Sequence, residues 1–118
     1  MSEKKGGTFC DLFGNTPRNR VLEVFLEGRE IDNSLGNVSE EGCLNRATVY
    51  NVAKTLLRQE IITQTRKIGR TQLYGLNFRS RDVQDLVKVF DFALKLVATD
   101  VKRDIKSAHP GRVKAKVG

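Results

Sequence analysis

Tryptophan is absent from this 118-residue chain, and proline, cysteine and tyrosine occur only twice each. With six Phe as the remaining aromatics, the core has to be built mainly from aliphatic side chains. Cys10 and Cys43 form no CxxC pair. Buried, reduced thiols are expected, with a disulfide between them as the alternative. The one histidine, His109, has no partners at metal-ligand spacing, so no metal site and no cofactor are expected. No Ser/His/Asp or Cys/His grouping and no phosphate-cradling glycine loop occurs, which argues against an enzyme. No apolar run approaches the ~18 residues that span a membrane. The first residues, MSEKKGGTF, lack the apolar segment of a signal peptide, so a cytoplasmic protein is expected.

Acidic residues are missing from one segment in particular. Residues 45–81 carry eight Lys/Arg against Glu60 alone, a net charge of +7, which equals that of the whole chain. Residues 1–44 are net −3 and residues 82–118 net +3. A solubility charge would be spread evenly. Charge held in one segment points to a polyanion.

What is present is consistent with one small domain, 39% hydrophobic and 30% charged. Residues 1–11 are polar and glycine-bearing and are expected to fray, with Leu12 and Phe13 as the first core contacts. Asn15-Thr16-Pro17 reads as a helix start, a capping side chain followed by Pro at the first helical position. The helix 17–27 presents Val21, Leu22, Val24, Phe25 and Leu26 to a core, with Arg18, Arg20, Glu23 and Glu27 in water. A short strand at Ile31 can follow. A second helix, 35–41, turns Leu35 and Val38 inward, and Gly42 supplies the left-handed residue after it. A third helix, 45–59, is capped by Asn45 and buries Val49, Val52, Ala53 and Leu56. At 100° per residue this leaves Ala47, Asn51, Lys54 and Arg58 on the opposite face. Strands 62–68 and 71–77 form a hairpin turning at Ile68-Gly69-Arg70. From Ser80 a long helix repeats Val83, Leu86, Val87, Phe90, Ala93, Leu94, Val97, Val101 and Ile105 over ~39 Å. Pro110-Gly111 ends it, before a basic tail.

Helix, short helix, helix and hairpin in this order make a winged helix-turn-helix, mainly α with a small antiparallel hairpin. In that plan the helix 45–59 enters the major groove of double-stranded DNA. Arg46 can give two hydrogen bonds to guanine and Asn51 two to adenine. Thr48 can contact a phosphate or a thymine methyl, and Lys54 and Arg58 suit the backbone. Asn45 and Ala47 belong to the same surface. Tyr50 either donates to phosphate or packs on the first helix. The wing brings Arg66, Lys67, Gly69, Arg70 and Thr71 to the neighbouring backbone or groove. Ile68 is either a small anchor on DNA or an exposed apolar residue.

Three segments carry a resemblance. Leu12-Phe13-Gly14-Asn15-Thr16-Pro17, Arg46-Ala47-Thr48-Val49-Tyr50 and Thr65 to Tyr74 are similar to segments of archaeal-type winged helix-turn-helix transcriptional regulators. There they open the first helix, open the recognition helix and form the wing. The resemblance covers residues 12–80 and implies a DNA-binding regulator. Arg46 to Tyr50 also resembles the recognition helix of Fur-type metal-responsive regulators, but with a single His no metal site is carried over.

The expected organisation is a flexible 1–11, a DNA-binding domain 12–80, a dimerisation helix 81–107 and a basic tail 108–118. Val83, Leu86, Val87, Phe90, Leu94, Val97 and Val101 are assigned to a homodimer contact. The other class of function is an interaction or assembly module of a replication or partition complex. No membrane partner is implied, and any small-molecule effector stays open, as do the operator and the sign of regulation.

Overall fold

The computed structural model describes the backbone of residues 7–106 and the side chains of residues 7–98. His109, the tail 108–118 and the side chains of Val101 and Ile105 lie outside the described residues. The elements are α1 (Thr8–Phe13), α2 (Pro17–Glu27), α3 (Leu35–Gly42), α4 (Arg46–Arg58), β1 (Ile62–Ile68), β2 (Thr71–Leu76) and α5 (Arg81–Lys106). The mainly helical winged-helix plan is therefore present.

Local chemistry explains most of the boundaries. The hydroxyl of Thr16 accepts the Asn19 N–H and Pro17 sits at the first helical position. Ser34 accepts the Asn37 N–H, and Asn45 accepts the Thr48 N–H at 2.8 Å. Each cap satisfies a donor that the first turn leaves open. The short α3 is further held by burial of Val38.

Both α3 and α4 end in a Schellman turn. After α3, the Cys43 and Leu44 N–H groups reach the Glu40 and Ser39 carbonyls. After α4, the Glu60 and Ile61 N–H groups reach Leu57 and Leu56. The left-handed residues are Cys43, φ 53°, and Glu60, φ 62°. Gly42 closes α3 and does not take the left-handed position expected of it. Cys43 is also exposed rather than buried, and both cysteines are free. A side chain in this region costs roughly 1–2 kcal/mol. Glu60→Gly should therefore stabilise the fold by about 0.5–1 kcal/mol after the added freedom of the unfolded chain is subtracted. Urea unfolding reads the change, and an unaltered or lower midpoint would contradict it.

The core joins α2, α3, α4 and the hairpin through Val21, Phe25, Leu26, Val38, Val49, Leu56 and Ile62. β1 and β2 pair antiparallel from Ile62↔Leu76 to Ile68↔Thr71. Asn33 adds a single bridge to Tyr74 on the other edge of β2, with hydrogen bonds of 2.8 Å in both directions. The extra extended residue is thus Asn33, while Ile31 is exposed.

The N-terminal segment differs from the fraying expected. Thr8–Phe13 is helical, Phe9 and Cys10 are buried, and Leu12 and Phe13 are exposed. The cause lies in α2. Glu23 is only 5% exposed, and its carboxylate accepts the N–H groups of Gly7 (2.8 Å), Phe9 (3.0 Å) and Cys10 (3.3 Å). A side chain expected in water instead caps α1 from 13–16 residues away. Burial, and then the neighbouring Glu23 carboxylate, push the Cys10 thiol up to about 11, so it stays protonated and inert at neutral pH.

α5 packs against α1, with the Phe9 and Phe90 rings 6.3 Å apart. Arg29 clips α2 to α5 with two hydrogen bonds to Asp91 and lies 5.7 Å over the Phe90 ring. Val83, Phe90 and Ala93 are consequently buried within their own subunit, and Leu86 and Val87 pack on that core. Those four residues of the expected dimer contact (Val83, Leu86, Val87, Phe90) serve the subunit's interior, because α1 covers their stripe. Leu94 is exposed and Val97 half-buried. With Leu94, the exposed large apolar residues of α5 are Val89, Phe92 and Leu96, of which Phe92 is the most exposed.

Candidate nucleic-acid interface

α4 is oriented by its inner face. Val49, Ala53 and Leu56 are buried against α2 and α3, and Val52 is half-buried. Burial of Val49 and of Leu56 contributes roughly 1.5–3 kcal/mol each, and with the smaller Ala53 between them this fixes the helix's rotation about its axis. Ala47, Asn51, Lys54 and Arg58 are left exposed, as the 100° rule requires.

Between α4 and β2 runs an open groove of about 760 Å³. From α4 it is lined by Arg46, Ala47, Tyr50, Asn51 and Lys54, and from the wing by Arg70 and Thr71. No acidic residue lines it. Tyr50 is exposed, so its ring does not pack on α2. The start of α3 forms the far wall with Ser34, Leu35 and Gly36. A Cβ on Gly36 would lie 3.0 Å from an Arg46 guanidinium nitrogen, so the glycine makes room for that side chain. Gln72 and Tyr74 also line the groove. Sequence reasoning missed these wall residues. Strand alternation from Arg70 and Thr71 gives no sign of which face of β2 turns toward α4.

Other expected residues lie elsewhere. The Asn45 side chain is occupied as the α4 cap. Thr48 is half-buried on the flank, and its N–H belongs to that cap. Arg58 is exposed at the far end of α4. Lys67 and Gly69 sit at the wing tip, where Gly69 has φ +61° in a two-residue turn. Ile68 beside them is exposed. Arg66 is engaged within the protein: its Nε and Nη2 donate to Asp32 at 2.9 and 3.3 Å. Among the described residues, no carboxylate pairs with Arg46, Lys54, Lys67 or Arg70.

Among the described residues there is no group of three or more His, Cys, Asp and Glu that could hold a metal, and no helix long and apolar enough to cross a membrane.

No family model and no curated protein matches the chain. Solved structures do match. A mutant of ZitR from Lactococcus lactis superposes with a TM-score of 0.60 at 19% identity, over 74% of this chain and 60% of that one. The chain thus spans less than two thirds of ZitR. HlyU, a transcriptional regulator from Vibrio vulnificus, gives 0.53 at 21% identity, over 68% of this chain and 80% of its own. MepR, a transcription regulator of the Staphylococcus aureus multidrug efflux pump MepA, gives 0.59 at 16% identity, over 81% and 72%. At such identities what this chain shares with these neighbours is the winged-helix fold.

Proposed function

We propose that this winged-helix protein binds double-stranded DNA and regulates transcription as a homodimer. One observation carries the reading: the outer face of α4 and the wing enclose a groove that holds Arg46, Lys54 and Arg70 and no acid. A major groove ~12 Å wide admits a helix presented in this way. Arg46 and Asn51 face the bases, Lys54 and Arg58 the backbone, and Lys67 and Arg70 the flanking phosphates. The neighbours' printed roles in transcription support the reading. The archaeal-type likeness rests on the three short motifs, since the neighbours named are bacterial.

The dimer contact is the outward stripe of α5, Val89, Phe92 and Leu96. Two copies joined there would set their α4 helices on half-sites roughly 34–36 Å apart on a near-palindromic operator.

Sequences selected from a random duplex pool, then titrated at several salt concentrations, test the proposal. Affinity should fall steeply with salt, by a slope of about 0.9 per phosphate neutralised. Arg46→Ala should lose about 1–3 kcal/mol of discrimination at one base position. Lys67→Ala should weaken all sequences alike and lower the slope by about 0.9. Affinity independent of salt would sink the reading. The outward apolar stripe also suits an assembly module, and capture of a defined protein partner without any DNA retardation would favour that instead.

A further inference from the structure

Charge and position alone place Arg66 among the wing's DNA contacts, but its surroundings give it a different task. β1 and β2 pair Gln64 with Tyr74 and Lys67 with Gln72, so Thr65 and Arg66 together face Leu73 alone. This extra residue is a β-bulge, which bends the strand and increases its local twist. The bulge is fastened from two sides. The Gln72 side-chain amide donates to the carbonyls of Arg66 and Leu73, both at 3.0 Å. On the other side, the Asp32 carboxylate accepts the Thr65 hydroxyl at 2.7 Å as well as both Arg66 donors.

Asp32 can reach β1 only by crossing β2. It does so at Gly75, where a Cβ would stand 3.3 Å from Thr65 Cγ2 and 3.9 Å from Asp32 Cβ. Gln72 and Tyr74 line the α4 groove. Strand alternation puts Gly75 on the opposite face of β2, away from that groove. Asn33, next to Asp32, is itself bonded to Tyr74. The clasp therefore ties three backbone segments together behind the wing.

We propose that Arg66 is a positioning residue, held by Asp32 and Thr65 over Gly75 to set the bend of the wing, and that the wing's contacts to DNA phosphate are made by Lys67 and Arg70. This deepens the DNA-binding reading and rests on it. It also explains an acid kept near an anion-binding surface: Asp32 is matched by Arg66 and adds no uncompensated repulsion. The Arg66 guanidinium, followed by the Thr65 hydroxyl, holds the Asp32 carboxyl down at about 2. A lowered value means the clasp is complete above the ordinary carboxylate range and is lost only as pH falls through about 2.

The test uses the full chain with Asp32→Asn, Arg66→Gln and the double variant. DNA affinity is measured against salt, and amide exchange is measured without DNA. Each single variant should bind DNA about fivefold more weakly, in keeping with an exposed charged network. The salt slope should stay unchanged, and the double variant should lose no more than either single one. Exchange at Asn33 and Tyr74, whose N–H groups pair with each other's carbonyls, should speed up several-fold in Asp32→Asn, and Gly75→Ala should reproduce this. Tighter binding by Asp32→Asn would overturn the proposal, because it would mean that the acid merely competes with phosphate. A slope lowered by about 0.9 in Arg66→Gln would overturn it by making Arg66 a phosphate contact. Unchanged exchange in Asp32→Asn would overturn the clasp itself. If the unaltered protein binds no DNA, the functional reading falls, and the exchange data alone decide whether the clasp orders the wing.

Discussion

Glu23→Ala should lower the stability of the fold by about 2–4 kcal/mol and release α1, the cost of leaving buried donors without an acceptor. α1 has only six residues, too few to persist alone. Two things hold it in place. Phe9 is buried beside Phe90, and the Glu23 carboxylate accepts the three N–H groups of Gly7, Phe9 and Cys10. Alanine at position 23 removes all three acceptor contacts at once. It also removes the negative charge that favours a helix N-terminus. Glu23→Gln keeps one acceptor oxygen and should lose roughly half as much. Once α1 detaches, Phe90 and the covered stripe of α5 reach solvent, so binding of a hydrophobic dye should rise together with the loss of stability. Urea unfolding with a change below about 0.5 kcal/mol for Glu23→Ala would show that the carboxylate does not hold α1.

Phe92→Asp should convert the dimer to a monomer and cost on the order of 100-fold in affinity for a palindromic operator, since the second half-site would no longer bind intramolecularly. Phe92 is 59% exposed, with Val89 and Leu96 each at 43% on the same side of α5. Positions 89, 92 and 96 recur at helical spacing and flank the stripe of buried Val83, Phe90 and Ala93, with Val89 and Leu96 each about one turn from Ala93. A helix whose apolar surface extends well beyond one stripe is normally enclosed on more than one side. One side is already enclosed by the subunit, and a second copy would enclose the other. Because Phe92 contributes little to its own subunit's core, the variant should stay folded and bind a single half-site as the original does. Light scattering and operator titration decide the matter. A dimer that survives Phe92→Asp would move the contact elsewhere, and an unaltered protein that is monomeric at high micromolar concentration would remove it.

Much of the architecture was legible because its signals are local. The order of α2 to α5 and the hairpin follows from periodicity, the capping signals at Asn15-Thr16-Pro17 and Asn45, and Gly69 at the turn, whereas the Ser34 cap of α3 emerged only in the structure. The inner face of α4 was fixed by spacing alone, and with it the outward Ala47, Asn51, Lys54 and Arg58. The concentration of positive charge on residues 45–81 likewise needs no coordinates.

Contacts between residues far apart in sequence decided the rest. A glutamate on a helix reads as solvated until a second helix terminus is laid over it, as α1 is over Glu23. Arg66 reads as a free cation until Asp32, 34 residues earlier, is found beyond Gly75. Cys43 rather than Gly42 took the left-handed turn, because the Schellman hydrogen bonds of Ser39 and Glu40 fix the position whatever residue falls there. The sequence of α5 shows an apolar stripe at helical spacing but not what covers it. That depended on where Phe9 docks, and α1 docks there because Glu23 holds its amides. Periodicity sets which residues share a face of an element, whereas only packing sets what each face meets.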